Sequence, residues 1–174
     1  VGSEVIFLQR AKRKLRALAF DFLKDSFDAE DITLIGEHLT QGGLDKVVYQ
    51  QEPNGIIWAK RADGLLIGYT YSKQNQVIGG HRHPLGGLNA KIEDISTGPS
   101  ASSLQDELWA VVSRTVNGAP LITIEFMEDE FDHDTPQEDA FFVDCGYTYD
   151  GPALSTITGL SYLEGETVAV LTDG

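Results

Sequence analysis

Between Asn54 and His83 the chain reads NGIIWAKRADGLLIGYTYSKQNQVIGGHRH, three runs of strand-forming residues separated by two turns. Ile56 to Arg61 is closed by Ala62-Asp63-Gly64. Leu65 to Tyr71 then places Leu65, Ile67, Tyr69 and Tyr71 on one face by period-two alternation, and Lys73-Gln74-Asn75 returns the chain into Val77 to His83. The spacing predicts an antiparallel meander of about 30 residues.

The same arrangement recurs on either side. Downstream, Leu108 to Val112 runs into Asn117-Gly118, the strongest two-residue hairpin signal, and out through Leu121 to Phe126. Upstream, Val5 to Leu8 leads through Lys12-Arg13-Lys14 into Leu15 to Phe20. Aligning the aromatic residue of each unit's first strand gives Phe7, Trp58 and Trp109, with intervals 58 − 7 and 109 − 58 both equal to 51. A period near 50 with several strands per unit is the mark of propeller-like repeats, in which each blade buries its faces on its neighbours. The expected fold class is therefore mainly β: antiparallel meanders in units around residues 5–22, 47–83 and 91–127.

Two segments carry competing signals. Over residues 5–22 the Ala, Leu, Lys and Arg content, with Leu15, Leu18, Ala19 and Phe22 at helical spacing, favours a helix, whereas the repeat requires a hairpin turning at Lys12 to Lys14. The repeat is the stronger constraint, and a hairpin is expected. Asp28-Ala29-Glu30-Asp31 reads as the capped start of one short helix, with Ile32, Ile35 and Leu39 as its apolar stripe and Gly42-Gly43 as its stop. Val47 to Gln50 adds a fourth strand to the second unit. After Gly98 to Ser103, a connector, the third unit follows.

Beyond Phe126 the run EDEFDHDTPQED has no period and reads as an exposed linker, so the expected domains are 1–135, the β repeats, and 136–174. The latter reads as the beginning of a small β module, with strands at Phe141 to Val143, Thr156 to Leu160 and Glu166 to Leu171. Val1 at the start and the turn dipeptide Asp173-Gly174 at the end give the expectation that the natural product extends in both directions.

Charge narrows the function classes. Thirteen basic against 27 acidic side chains, a formal charge of −14, argue against a surface for sequence-specific nucleic-acid binding. Lys12, Arg13, Lys14 and Arg16 form one basic knot, read as an exposed hairpin. No run approaches the roughly 18 apolar residues of a spanning helix, so no membrane role is expected. The single Cys145 cannot form an internal disulfide.

Candidate chemistry is sparse. His81 and His83, at i and i+2 on one strand face, have a spacing that can serve a metal, with His38, His133 or the acidic linker as further ligands. Hydrogen bonding in a loop is the simpler role for them. The 128–138 stretch, with Glu128, Asp129, Glu130, Asp132 and Asp134, lacks the glycine and the final glutamate of a calcium loop. Cys145, beside Asp144, reads as an inert thiol. No phosphate-loop, dinucleotide, nucleophile-elbow or zinc-protease string is present, and no catalytic, cofactor or metal residue is assigned.

The string GGHRH after a YTY strand, then DELWAVVSRTVNGAPLITIEFME and DAFFVDCGYTYDGPALSTITGLSYLEGETVAVLTDG, resembles phage virion proteins of the tail-nozzle or tail-accessory kind. The resemblance runs from about Glu4 to the end and is most specific over residues 104–174. It implies a non-enzymatic structural component of a phage tail, located in the virion. Its implied partners are other tail proteins and copies of itself, in a ring around the DNA exit channel. A receptor- or glycan-binding tail module is the alternative, and a glycan-degrading enzyme using acidic residues a third.

Overall fold

A computed structural model of the chain describes residues 4–101, 104–131, 136 and 142–171. Among these residues ten strands form three antiparallel meanders in chain order. The first contains β1 (Val5–Leu8), β2 (Leu15–Asp21) and β3 (Ser26–Asp31). The central one contains β4 (Leu44–Gln50), β5 (Ile56–Arg61), β6 (Leu66–Ser72) and β7 (Val77–His83). The third contains β8 (Lys91–Pro99), β9 (Asp106–Val116) and β10 (Ala119–Phe126). The mainly β fold class and the succession of antiparallel meanders are as the residues predict.

Alternation along the central sheet sets the layer order. Ile57, Ala59, Ile67, Tyr69 and Tyr71 point to one side and share a core with Leu15 and Ala17 of the first sheet. Trp58 and Leu66 point to the other, onto Ile92, Ile95, Leu108 and Val112 of the third. The middle strands of the central sheet, β5 and β6, are thus buried on both faces between the other two sheets, while the edge strand β7 is mostly exposed. The opening strands of successive sheets, β1, β4 and β8, lie next to one another.

Polar links fix the spacing between layers. Lys12 Nζ meets Asp45 at 2.9 Å, and the Leu44 N–H donates to the Lys12 carbonyl at 2.7 Å. Within the first sheet, Lys14 bridges Asp31 at 2.7 Å, and Arg16 donates to Gln9 and to the Ala29 carbonyl, each at 2.8 Å. Most of the basic knot is therefore tied into the fold. On the other side, one Asp106 carboxylate oxygen accepts the N–H groups of Gln51 and Glu52, and Thr97 Oγ1 donates to the Tyr49 carbonyl at 2.9 Å. Glu4 is buried between the Tyr71 hydroxyl, at 2.6 Å, and Lys73. Burial would raise its pKa, but those two hydrogen bonds prevail and hold it below the ordinary value.

The opening segment is the expected hairpin, with Val5 opposite Leu18 and Leu8 opposite Leu15. Asn117 and Gly118 both take positive φ, 51° and 75°, as a two-residue hairpin turn requires.

The helix expected from Asp28 is absent. Asp28 to Asp31 belong to β3, where Phe27 and Ala29 face Phe20 and Leu18 of β2. Asp28 accepts from Lys24 and from the Ala29 N–H instead of capping. Cross-strand pairing overrides a weak local helix preference. Residues 32–43 then form successive turns, with Thr33 donating to Asp31 from both its N–H and its hydroxyl. Ile32 and Leu39 are buried while Ile35 is exposed, so the supposed stripe is divided between core and solvent. The helical element among the described residues is a 3₁₀ turn at Ser161–Leu163.

Two further expectations need correction. The equal aromatic interval does not mark equivalent places. Trp58 and Trp109 lie on the second strands of their sheets, but Phe7 lies on the first strand of its own. Trp58 is 2% exposed, whereas Phe7 and Trp109 are 38% and 40% exposed on outward faces. The expected strands at Thr156 to Leu160 and Glu166 to Leu171 are not formed among the described residues, and the third lies partly outside them. Glycines at 146, 151, 159 and 165, with Pro152, interrupt this segment, and its side chains reach His83 of β7, the loop at Gly86 and Gly87, and the third sheet at Arg114 and Asn117.

The unequal burial of the two tryptophans has a measurable consequence. Trp58→Ala should cost about 3–5 kcal/mol in a denaturant titration, and Trp109→Ala less than about 1 kcal/mol. Equal costs would contradict the assigned layer order.

Candidate functional site

The polar side chains that converge lie at the rim between the central and third sheets. On β7, His81 and His83 project from the face that carries Trp58, since His81 pairs with Gly68 and Gly68 with Trp58. Gly68 makes room for the first imidazole: a Cβ there would lie 2.0 Å from His81 Cε1. Both rings pack edgewise on Trp58, whose indole N–H donates to Gln50 Oε1 at 2.7 Å.

The histidines form a hydrogen-bonded chain with the tail. His81 Nδ1 lies 2.7 Å from His83 Nε2, and His83 Nδ1 lies 2.6 Å from Asp144 Oδ1. A carboxylate only accepts, so Asp144 assigns the proton on His83 to Nδ1. His83 Nε2 is then the acceptor for His81 Nδ1–H, and His81 is left with a bare Nε2. Burial, aided by His83, holds the His81 pKa below its ordinary value of 6.5.

Beside this chain the tail seals the hairpin end of the third sheet. Cys145 Sγ accepts the Gly86 N–H at 3.1 Å, Glu166 accepts the Gly87 N–H at 3.0 Å, and Glu164 accepts the Asn117 N–H. At the centre is Arg114, 3% exposed, which donates to the Gly86 carbonyl at 2.8 Å and to both oxygens of Glu125. The Tyr162 ring stands 5.5 Å from its guanidinium carbon. Burial opposes both charges, yet their pairing prevails, raising the Arg114 pKa and lowering that of Glu125.

The predicted residues are only partly assembled. His81 and His83 are brought together. Their facing nitrogens are too close to share a tetrahedral zinc ion, which at about 2.0–2.1 Å per bond needs a wider separation, and His83 turns its other nitrogen to Asp144. His38 is exposed in the turns after β3, and His133 lies outside the described residues. Among the described residues no group of three or more His, Cys, Asp or Glu could hold a metal ion. Glu128, Asp129 and Glu130 are exposed, with Glu130 accepting from Asn54 at 2.7 Å, while Asp132 and Asp134 lie outside the described residues. Sequence reasoning missed Arg114, Glu125 and Asp144. The signal for the first two was their register: Arg114 and Glu125 lie on the inward face of the β9–β10 pair.

The chemistry of the rim is that of a fastening. His83 has both ring nitrogens engaged within the chain, which leaves it none to activate a nucleophile. Compared with known proteins, the chain matches no family profile and no curated sequence.

Two predictions follow from the geometry. Gly68→Ala should expel the His81 ring and lower stability by about 1–3 kcal/mol, read as loss of the His81–His83 coupling in imidazole NMR. An unchanged coupling would show that the two rings do not depend on the glycine. Because His81 is depressed, the unfolded chain binds a proton that the folded one refuses as pH falls below 6.5. Stability should therefore decline from pH 7.5 to 5.5, above the range where carboxylates such as Glu125 protonate. His81→Gln should flatten that decline, and a flat wild-type profile would contradict the assignment.

Proposed function

We propose that this chain is a structural component of a phage virion tail, of the nozzle or head-tail kind, acting through protein-protein assembly and not catalysis. One observation carries the assembly role: each end face of the sheet stack carries a cluster of exposed apolar side chains. The outer face of the first sheet presents Val5, Phe7, Phe20 and Phe27, and that of the third presents Trp109, Ile122, Ile124 and Phe126. Such faces on a β layer are contact surfaces for other protein layers. The phage assignment rests on the resemblance of residues 104–174 to tail proteins.

The charge balance supports a place beside DNA. At −14, the chain repels phosphates, so a duplex can pass without being held. Mass spectrometry of purified, tail-bearing particles should find the chain in constant proportion to known tail proteins. Absence from such particles would overturn the reading. Specific retention on a host surface polysaccharide, lost in Trp109→Ala, would move the function to the glycan-binding alternative.

A further inference from the structure

We propose that Asn117-Gly118 is a self-modifying site, at which the Gly118 backbone nitrogen converts the Asn117 side-chain amide to a carboxylate through a cyclic imide, and that the product loosens the tail from the third sheet. The inference is independent of the assembly role.

The chemistry needs only water. The Gly118 amide, deprotonated by hydroxide, attacks Asn117 Cγ. The new C–N bond closes a succinimide ring as the Cγ–Nδ2 bond breaks, and ammonia leaves with a proton drawn from water. A second water opens the ring at either carbonyl. One opening gives aspartate, and the other gives isoaspartate, whose main chain runs through the side-chain carbons and is longer by a carbon. No oxidant, reductant or further reactant enters.

The chain holds the Asn-Gly pair twice, at Asn54-Gly55 and at Asn117-Gly118. Attack requires Cγ to swing onto the next backbone nitrogen, so a free amide and an open glycine decide between the two. At 117–118 both conditions hold. Val116 and Ala119 close the turn by pairing with each other, the Gly118 N–H carries no hydrogen bond, and a Cβ on Gly118 would meet nothing within 4 Å. Among the described residues the Asn117 side-chain amide makes no hydrogen bond either, and both residues of the turn are exposed. At 54–55 neither condition holds. Asn54 Nδ2 donates to Glu130 at 2.7 Å, and a Cβ on half-buried Gly55 would lie 2.8 Å from the Tyr49 hydroxyl and 3.2 Å from the Tyr71 carbonyl oxygen.

The place of the turn gives the reaction its consequence. The Asn117 N–H donates to the Glu164 carboxylate, one of the bonds by which the tail grips the third sheet. Conversion sets a second carboxylate on the residue that Glu164 holds, and the isoaspartate form also lengthens the turn. No Lys or Arg follows Arg114 in the sequence, and Arg114 is itself buried against Glu125, so no cation of the tail offsets the repulsion. Glu166 on the Gly87 N–H and Cys145 on the Gly86 N–H belong to the same seam and weaken with it.

The test compares the full chain before and after prolonged incubation at mildly alkaline pH, by peptide mass mapping and by hydrogen exchange resolved by NMR. The peptide holding Asn117 should gain the mass of an amide converted to an acid, with isoaspartate in part of the product. The peptide holding Asn54 should react about 10–100-fold more slowly, the cost of keeping the reacting groups apart. In the modified chain the Gly86 and Gly87 amides should exchange faster than in the fresh one, while those of β5 and β6 stay as protected as before. Asn117→Gly keeps a two-residue turn but has no amide to lose, so its Gly86 and Gly87 amides should stay protected through the same incubation. An unmodified Asn117, equal rates at the two dipeptides, or unchanged exchange at Gly86 and Gly87 in the modified chain would each overturn the proposal.

Discussion

The double burial of β5 and β6, the middle strands of the central sheet, is the constraint on which the rest of the structure depends. Sheets of antiparallel strands commonly keep one face in water, and their strands then alternate apolar with polar. Strand β5 alternates between two apolar destinations instead: Ile57 and Ala59 to the first sheet, Ile56 and Trp58 to the third. A slip of one residue in its register would exchange these sets and drive the Trp58 indole into space shaped for Ala59. The layer spacing and both cores are fixed by that one alternation.

A stack built this way leaves its own ends unsatisfied. The first and third sheets each bury one face inward, but their outward faces carry exposed aromatic and aliphatic side chains beside charged ones such as Arg16 and Asp94. Single exposed apolar residues are ordinary on protein surfaces, whereas aligned rows across paired strands are not. Trp109, Ile122, Ile124 and Phe126 form such a row because β9 and β10 pair with Trp109 opposite Phe126 and Val111 opposite Ile124. The pairing that makes the sheet also makes the patch.

Legibility in the residues followed the range of the forces involved. Alternation and turn chemistry are local, and Asn117-Gly118, Ala62-Asp63-Gly64 and the YTY strand marked strands that are present. The Asp28 segment was misread because its local helix cues are worth little beside pairing with β2, which depends on residues several positions earlier. The equal spacing of Phe7, Trp58 and Trp109 misled for a related reason, since an interval in sequence carries no information on which strand of a sheet a residue occupies. The rim was half legible. His81 and His83 share a face by period two, but Asp144 reaches His83 across 61 residues, and Tyr162 of the tail comes to Arg114 from far along the chain.

The tail and the sheets are held by different kinds of interaction, and this sets an order of stability within the molecule. Trp58, Leu66 and Val112 contribute burial that water cannot replace, while the described residues after 142 attach mainly through Asp144, Cys145, Tyr162, Glu164 and Glu166. Hydrogen bonds of this kind yield only about 0.5–1.5 kcal/mol each after exchange with water. The exception is Arg114, whose charge remains buried against Glu125, so that releasing the tail rehydrates a guanidinium and recovers part of the desolvation cost. Opening the rim is therefore cheaper than separating any two sheets, and residues 142–171 are the first of the described fold to yield while the layered core stays whole.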